Sequence, residues 1–277
     1  MEFLADIFEY QYLANALIAC ILSGISCGIV GTYVVSRRMV FLSGGITHAS
    51  FGGVGMALYY GSNPLLGAFV FALLSAFGVE YASSKGRIRE DSAIGLMWSV
   101  GMAVGVLFMS MRSGYVSGDL SSYLFGSITT VTEGDVWAMA ILTFLLLVGA
   151  MLWIRPVMYV AFDRDYSRSA DIPTTIISYA MAAIVAVTIV LTIRVMGIVL
   201  LISLLTMPSI IAGSFVGSYT KIVPWASLIA IFAAVSGLVL SYYFEIPSGC
   251  AIIFVLTFTL IIVKLLSLHP KKVPFCR

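Results

Sequence analysis

Nine apolar stretches fill almost all of this 277-residue chain, at roughly 12–36, 40–60, 64–84, 92–112, 134–153, 174–193, 195–216, 222–243 and 247–267. About twenty residues of helix span the roughly 30 Å hydrocarbon core of a bilayer. In lipid a helix satisfies its own backbone polar groups. The expected fold is therefore an all-α polytopic membrane protein, a bundle of eight to nine transmembrane helices. Hydrophobic residues make up 61% of the chain and charged residues 10%. Soluble domains carry about 25% charge. Residues 1–277 thus read as one transmembrane domain without a soluble domain of useful size. The opening MEFLADIFEYQ has no basic n-region, so no cleavable signal peptide is expected. Asp6 and Glu9 on its apolar frame suggest a short interfacial helix.

The breaks between stretches carry the orientation. Arg37 and Arg38 follow the first; Lys85, Arg87 and Arg89 the third; Arg155, Arg164 and Arg168 the fifth; Lys221 the seventh; Lys264, Lys271, Lys272 and Arg277 end the chain. All of these fall on one side, and only Arg112 and Arg194 fall on the other. The positive-inside rule places the larger set in the cytoplasm, with the N-terminus outside and the C-terminus inside. Tyr59-Tyr60, Tyr242-Tyr243-Phe244, Trp137 and Trp153 sit at stretch ends, where amphipathic rings favour the interface. Two segments stay open. Residues 172–216 form one broken helix or two, since only Arg194 and Gly197 interrupt them. Residues 114–132 form a short outer helix or a re-entrant piece.

Small residues recur four apart at Gly24/Gly28, Gly101/Gly105 and Gly213/Gly217, a spacing that lets helices approach closely in lipid. Pro208 should kink the seventh stretch, because its ring removes a backbone donor. Cys20, Cys27, Cys250 and Cys276 contain no C-x-x-C, and a thiol metal or redox site is not expected. Cys20 and Cys27, seven apart on one helical face, read as small core residues.

His48 is the residue that points to chemistry. It lies eight residues into the second stretch, about 12 Å below one surface and near the midplane. Intramembrane ionisable groups are expensive and mark a pathway or site by default. Gly44, Gly45, Gly52 and Gly55 share its helical stripe. The imidazole then stands in a groove where either another helix packs or a small substrate passes. Ser43, Thr47 and Ser50 add hydroxyls. A neutral imidazole suits zinc and other first-row metals. The alternative is a histidine hydrogen-bonded across a helix interface. The stretches contain no H-E-x-x-H and no carboxylate pair at i, i+4. Glu80 reads as an interfacial charge and His269 as part of a solvated terminus.

The other informative segment is AFDRDYSRSADIP, Ala161 to Pro173. Asp163, Arg164, Asp165, Arg168 and Asp171 mix both signs on the cytoplasmic side. It is either a solvated loop or a short helix docking on a cytoplasmic partner. No G-x-x-x-x-G-K-[ST] exists, so the chain holds no P-loop and any ATPase must be a separate polypeptide.

Five segments resemble the permease subunits of the zinc/manganese/iron ABC importers of bacterial cytoplasmic membranes. They are SRRMVFLSGGITHASFGG, EDSAIGLMWSVGMAVGVLF, DLSSYLFGSI, FDRDYSRSADIP and RVMGIVLLISLLTMPSIIAGSF, in the family's order and spacing. Thr47, His48 and Ala49 match the end of the family's Asp-Ala-Leu-Ser-His-Ala. The resemblance implies a transport subunit and not an enzyme, with no permanently bound cofactor and a divalent metal as cargo. His48, with Thr47, would contact the metal. Asp163, Arg164, Asp165, Arg168 and Asp171 would form the coupling segment that docks into the ATPase. It implies a cytoplasmic ABC ATPase, an extracytoplasmic metal-binding protein and a second permease copy as partners in the lipid bilayer, and no nucleic acid. Two positions depart from the family. Gly44 stands where it has the Asp thought to contact metal, which removes a hard oxygen ligand. Asp171 stands where it usually has Gly.

Other transport readings are a permease for a metal chelate of siderophore or cobalamin type, and a secondary transporter using His48 as a proton relay. The relay lacks a partner carboxylate at that depth and an inverted repeat of broken helices. A membrane scaffold without transport would leave His48 packed or lipid-facing.

Overall fold

The computed structural model describes residues 6, 9–84, 88–111 and 131–266. They form ten helices: α1 Gln11–Ser36, α2 Val40–Tyr59, α3 Pro64–Ser84, α4 Glu90–Ser110, α5 Glu133–Phe162, α6 Arg164–Ser169, α7 Thr174–Met196, α8 Ile198–Phe215, α9 Tyr219–Phe244 and α10 Ser248–Leu266. The nine expected stretches correspond to every helix but α6. Residues 172–216 are two helices: Gly197, at φ 80°, ends α7 and opens α8 in a backbone conformation that suits glycine. Arg112, Lys85, Arg87, the DLSSYLFGSI segment, His269 and Cys276 lie outside the described residues, as does nearly all of 114–132. Asp6 and Glu9 are both helical.

Eight helices are long and apolar enough to cross a membrane. The exception of crossing length is α2, whose 20 residues include five glycines, two serines, a threonine and a histidine. Enclosure compensates for this polarity, because most α2 side chains are buried. By contrast α5 exposes Trp137 (70%), Phe144 (66%) and Met151 (80%), the behaviour of a helix whose solvent is lipid.

The helices divide into two compact units. One contains α1, the start of α5 as far as Ile154, and α8–α10. Here α1 is central, packing on α8 and α9, while α10 packs on both of those. A Cβ on Gly24 would lie 2.8 Å from Ile231, and one on Gly28 would collide with Ser227, so α9 approaches the α1 backbone directly. Gly217, by contrast, faces open space. Cys20 and Cys27 are fully buried, as small core residues would be. Hydroxyls join the helices: Ser26 and Thr143 are 2.8 Å apart, and Thr32 and Ser209 are 3.2 Å apart.

The second unit spans residues 39–121 and 155–193. Its α2 is enclosed between α3 and α4. A Cβ on Gly52 would meet the Gly101 carbonyl oxygen at 2.7 Å; one on Gly55 would collide with Gly105, and one on Gly53 with Gly67. Both sides of each contact are glycine, so backbone lies against backbone.

Contacts inside each unit test the alternation of helix ends. In the first, Gln11 bonds Glu133, Tyr242 bonds Asp6, and Arg194 pairs with Asp135 at 3.0 Å. All six residues belong to ends assigned to the outer side. In the second, Arg164 bonds Glu80 and Ser178, all assigned to the inner side. The ends that the basic-residue pattern groups together do meet.

Candidate functional site: the His48 helix and the α6 segment

His48 and Trp98 each lie eight residues into their helices, α2 and α4. Their rings stack with centroids 4.1 Å apart and planes 16° apart. The paired levels Gly45–Ile94, His48–Trp98, Gly52–Gly101 and Gly55–Gly105 rise together, so α2 and α4 run parallel in matched register. The stripe beside His48 is therefore a helix seam. Of the two readings the sequence allowed for the glycines, close packing is the one they serve. This seam brings Trp98 against the imidazole and fixes the plane of the ring.

The imidazole is half-buried. Its Nδ1 is buried and has no hydrogen-bond partner among the described residues. The hydroxyls around it are engaged locally. Ser43 donates to the Val40 carbonyl at 2.7 Å, Thr47 to Ser43 at 2.5 Å and Ser50 to Thr47 at 2.6 Å. Thr47 is fully buried, and its position next to His48 turns it about 100° around the helix from the imidazole. Gly44 is buried and contributes no ligand. Among the described residues no group of three or more His, Cys, Asp or Glu could hold a metal ion. The arrangement offers one nitrogen donor on a rigidly held ring.

The segment 161–173 contains α6. Asp163 caps it, accepting from the backbone N–H groups of Asp165 at 3.0 Å and Tyr166 at 2.9 Å. It ends in a Schellman motif, with the Ile172 N–H donating to the Ser167 carbonyl and the Asp171 N–H to that of Arg168. Asp171 sits at φ 54°, the left-handed conformation that glycine adopts without strain. That supplies a physical reason for glycine in the family's version of this loop. Asp165 and Arg168 point into solvent, their side chains 95% and 61% exposed.

Arg164 turns the other way. Its guanidinium donates to the Glu80 carboxylate of α3 at 2.6 Å and to the Ser178 hydroxyl of α7 at 3.0 Å. Glu80, expected as an interfacial charge, is 2% exposed and ion-paired. Three residues that matter here were not singled out by the sequence: Trp98, Ser178 and, in this role, Glu80. Trp98 did carry a signal, because it lies inside an apolar stretch and away from its ends.

The defining pattern of the ABC 3 transport family matches residues 9–267. This chain belongs to the ABC 3 transport family. The family member is 36% identical over 92% of its length to an uncharacterized membrane protein of Synechocystis, covering 90% of that protein. It is 30% identical to the manganese transport system membrane protein MntC of Halalkalibacterium halodurans, over 91% of this chain and 86% of MntC. Among solved structures it resembles PsaBC from Streptococcus pneumoniae in complex with Fab, with a TM-score of 0.84 at 26% identity, covering 95% of this chain and 94% of that one. The ABC 3 transport fold thus extends over nearly the whole chain.

Proposed function

We propose that this ABC 3 family member is the membrane-spanning permease subunit of an ATP-driven importer for a divalent transition metal. His48 contacts the ion in transit, near the midplane of the bacterial cytoplasmic membrane. A separate cytoplasmic ATPase drives alternating access, an extracytoplasmic binding protein delivers the metal, and a second copy of the chain completes the pore. The N-terminus faces outward. The chain itself forms and breaks no covalent bond.

The observation that supports this reading is the His48 ring, held by Trp98 with Nδ1 buried and without a partner among the described residues. A buried polar atom without a partner costs free energy, and a passing cation offsets that cost. A single nitrogen donor suits transit, since the ion must also leave. Water supplies the oxygen ligands more readily than Thr47, whose hydroxyl donates within its own helix. The relative MntC is named for manganese. A lone imidazole with Gly44 beside it also accommodates zinc and iron.

Uptake of manganese, zinc and iron by intact cells, with and without the chain, tests the function. His48→Ala should abolish uptake of the transported metal while the protein still reaches the membrane with its ATPase. Wild-type uptake in a normally expressed His48→Ala variant would reduce His48 to a packing residue.

A further inference from the structure

The α6 segment holds two kinds of charge. Asp165 and Arg168 face solvent, available to a partner. Arg164, at the first position of the same helix, is spent inward. It joins α6 to α3 through Glu80 and to α7 through Ser178. Phe77 and Tyr179 meet at 5.9 Å, so α3 and α7 touch within a turn of the same point. Further along α3, Gly67 lies against Gly53 of α2, the helix that carries His48.

Each step in this chain is stiff. Asp163 and the Schellman turn fix both ends of α6, so it moves as one piece. A charge-assisted bond between a guanidinium and a carboxylate that is 2% exposed resists separation, because such bonds are about twice as strong as neutral ones. The glycine contact allows no slack, since backbone meets backbone.

We propose that the Glu80–Arg164–Ser178 cluster is the tie that carries displacement of α6 into the α3–α2 pair, making Glu80 and Arg164 positioning residues for transport. This rests on the reading that α6 docks the ATPase, and goes beyond it by assigning the inward face of α6 a different task from the outward one. The outward residues hold the partner. The inward ones convert its movement.

The experiment uses the permease purified with its ATPase and reconstituted in vesicles, with manganese(II) and zinc(II) as probes. Capture of the ATPase, ATP hydrolysis and metal uptake are read separately. Glu80→Gln and Arg164→Gln should keep capture and hydrolysis while uptake per ATP falls about tenfold. The exchange Glu80→Arg with Arg164→Glu should recover most of that loss, which a merely structural prop of fixed polarity would not. Should Glu80→Gln fail to fold, Ser178→Ala leaves the ion pair in place and should lower uptake per ATP about threefold. Unchanged uptake per ATP in the folded single variants overturns the tie. Loss of ATPase capture in them also overturns it, since Glu80 and Arg164 would then act on docking. Arg168→Glu tests the docking reading alone. If it leaves capture intact, the docking reading fails whatever the Glu80 variants show.

Discussion

In the first unit Ser23, Thr32 and Ser36 of α1 donate to their own helix backbone, but two buried hydroxyls of α1 also reach across: Ser26 meets Thr143 of α5, and Thr32 meets Ser209 of α8. In the second unit the hydroxyls of α2 are spent on its own backbone. Buried side-chain polar atoms without a partner among the described residues include His48 Nδ1, Arg164 Nε, Thr188 Oγ1 and Thr192 Oγ1, all in the second unit. The glycine seams differ in parallel. Gly24 and Gly28 of α1 receive Ile231 and Ser227, whereas Gly52, Gly53 and Gly55 of α2 receive other glycines. Polar groups in the first unit serve as glue between helices. In the second, backbone contact closes the seams of α2 without its hydroxyls, while the Glu80–Arg164–Ser178 cluster joins α6 to α3 and α7.

The largest expected effect breaks the seam. A valine at Gly53 would drive its side chain into the Gly67 backbone, which cannot swing aside. Gly53→Val should cost about 3 kcal/mol or more and leave little folded protein. Gly28→Val, facing the Ser227 backbone and hydroxyl, should be similarly severe. Gly217→Val, facing open space, is the control and should be silent. Thermal unfolding in detergent ranks the three. Equal stability of Gly53→Val and Gly217→Val would refute the backbone contact.

A smaller effect separates glue from site. Ser26→Ala and Thr143→Val should each destabilise by about 1 kcal/mol or less, with a double-mutant coupling near 0.6 kcal/mol, and spare uptake. His48→Ala should cost stability no more than this and remove uptake. The comparison collapses if Ser26→Ala abolishes uptake at normal abundance, because α1 would then carry site residues too.

Helix ends were legible where local chemistry sets them. Alternating basic breaks group the ends that meet at Asp135–Arg194 and Glu80–Arg164, whereas the division of 172–216 stayed open until Gly197, at φ 80°, was placed between α7 and α8. What sequence spacing left open depended on residues far along the chain. The stripe Gly45–Gly52–Gly55 is equally a groove or a seam until Gly101 and Gly105 on α4 are placed against it. Glu80 reads as an interfacial charge because nothing in α3 shows that Arg164, 84 residues later, turns back to bury it. The polar content of α2 was visible, and its enclosure by α3 and α4 was not.

The smallest effect concerns two of the three described non-glycine residues that follow helix ends in a left-handed conformation, Arg38 after α1 being the third. Asp171 after α6 and Glu245 after α9 sit at φ 54° and 53°, in the left-handed region that costs an ordinary L-residue about 1 kcal/mol or more. Aspartate tolerates this better than glutamate, because its short side chain can bond the local backbone. Glycine at either place should relieve the strain, by about 1 kcal/mol for Glu245→Gly and about 0.5 kcal/mol for Asp171→Gly. Amide hydrogen exchange reads this locally. Ile172, whose N–H donates to Ser167, should exchange about twofold more slowly in Asp171→Gly than in the parent. Faster exchange would mean that the aspartate itself holds the Schellman turn. The same variant bears on coupling. If Asp171→Gly tightens the turn and uptake is unchanged, residue 171 serves the loop through its backbone alone. If uptake falls despite a tighter turn, the carboxylate belongs with Asp165 and Arg168 on the face proposed to meet an ATPase.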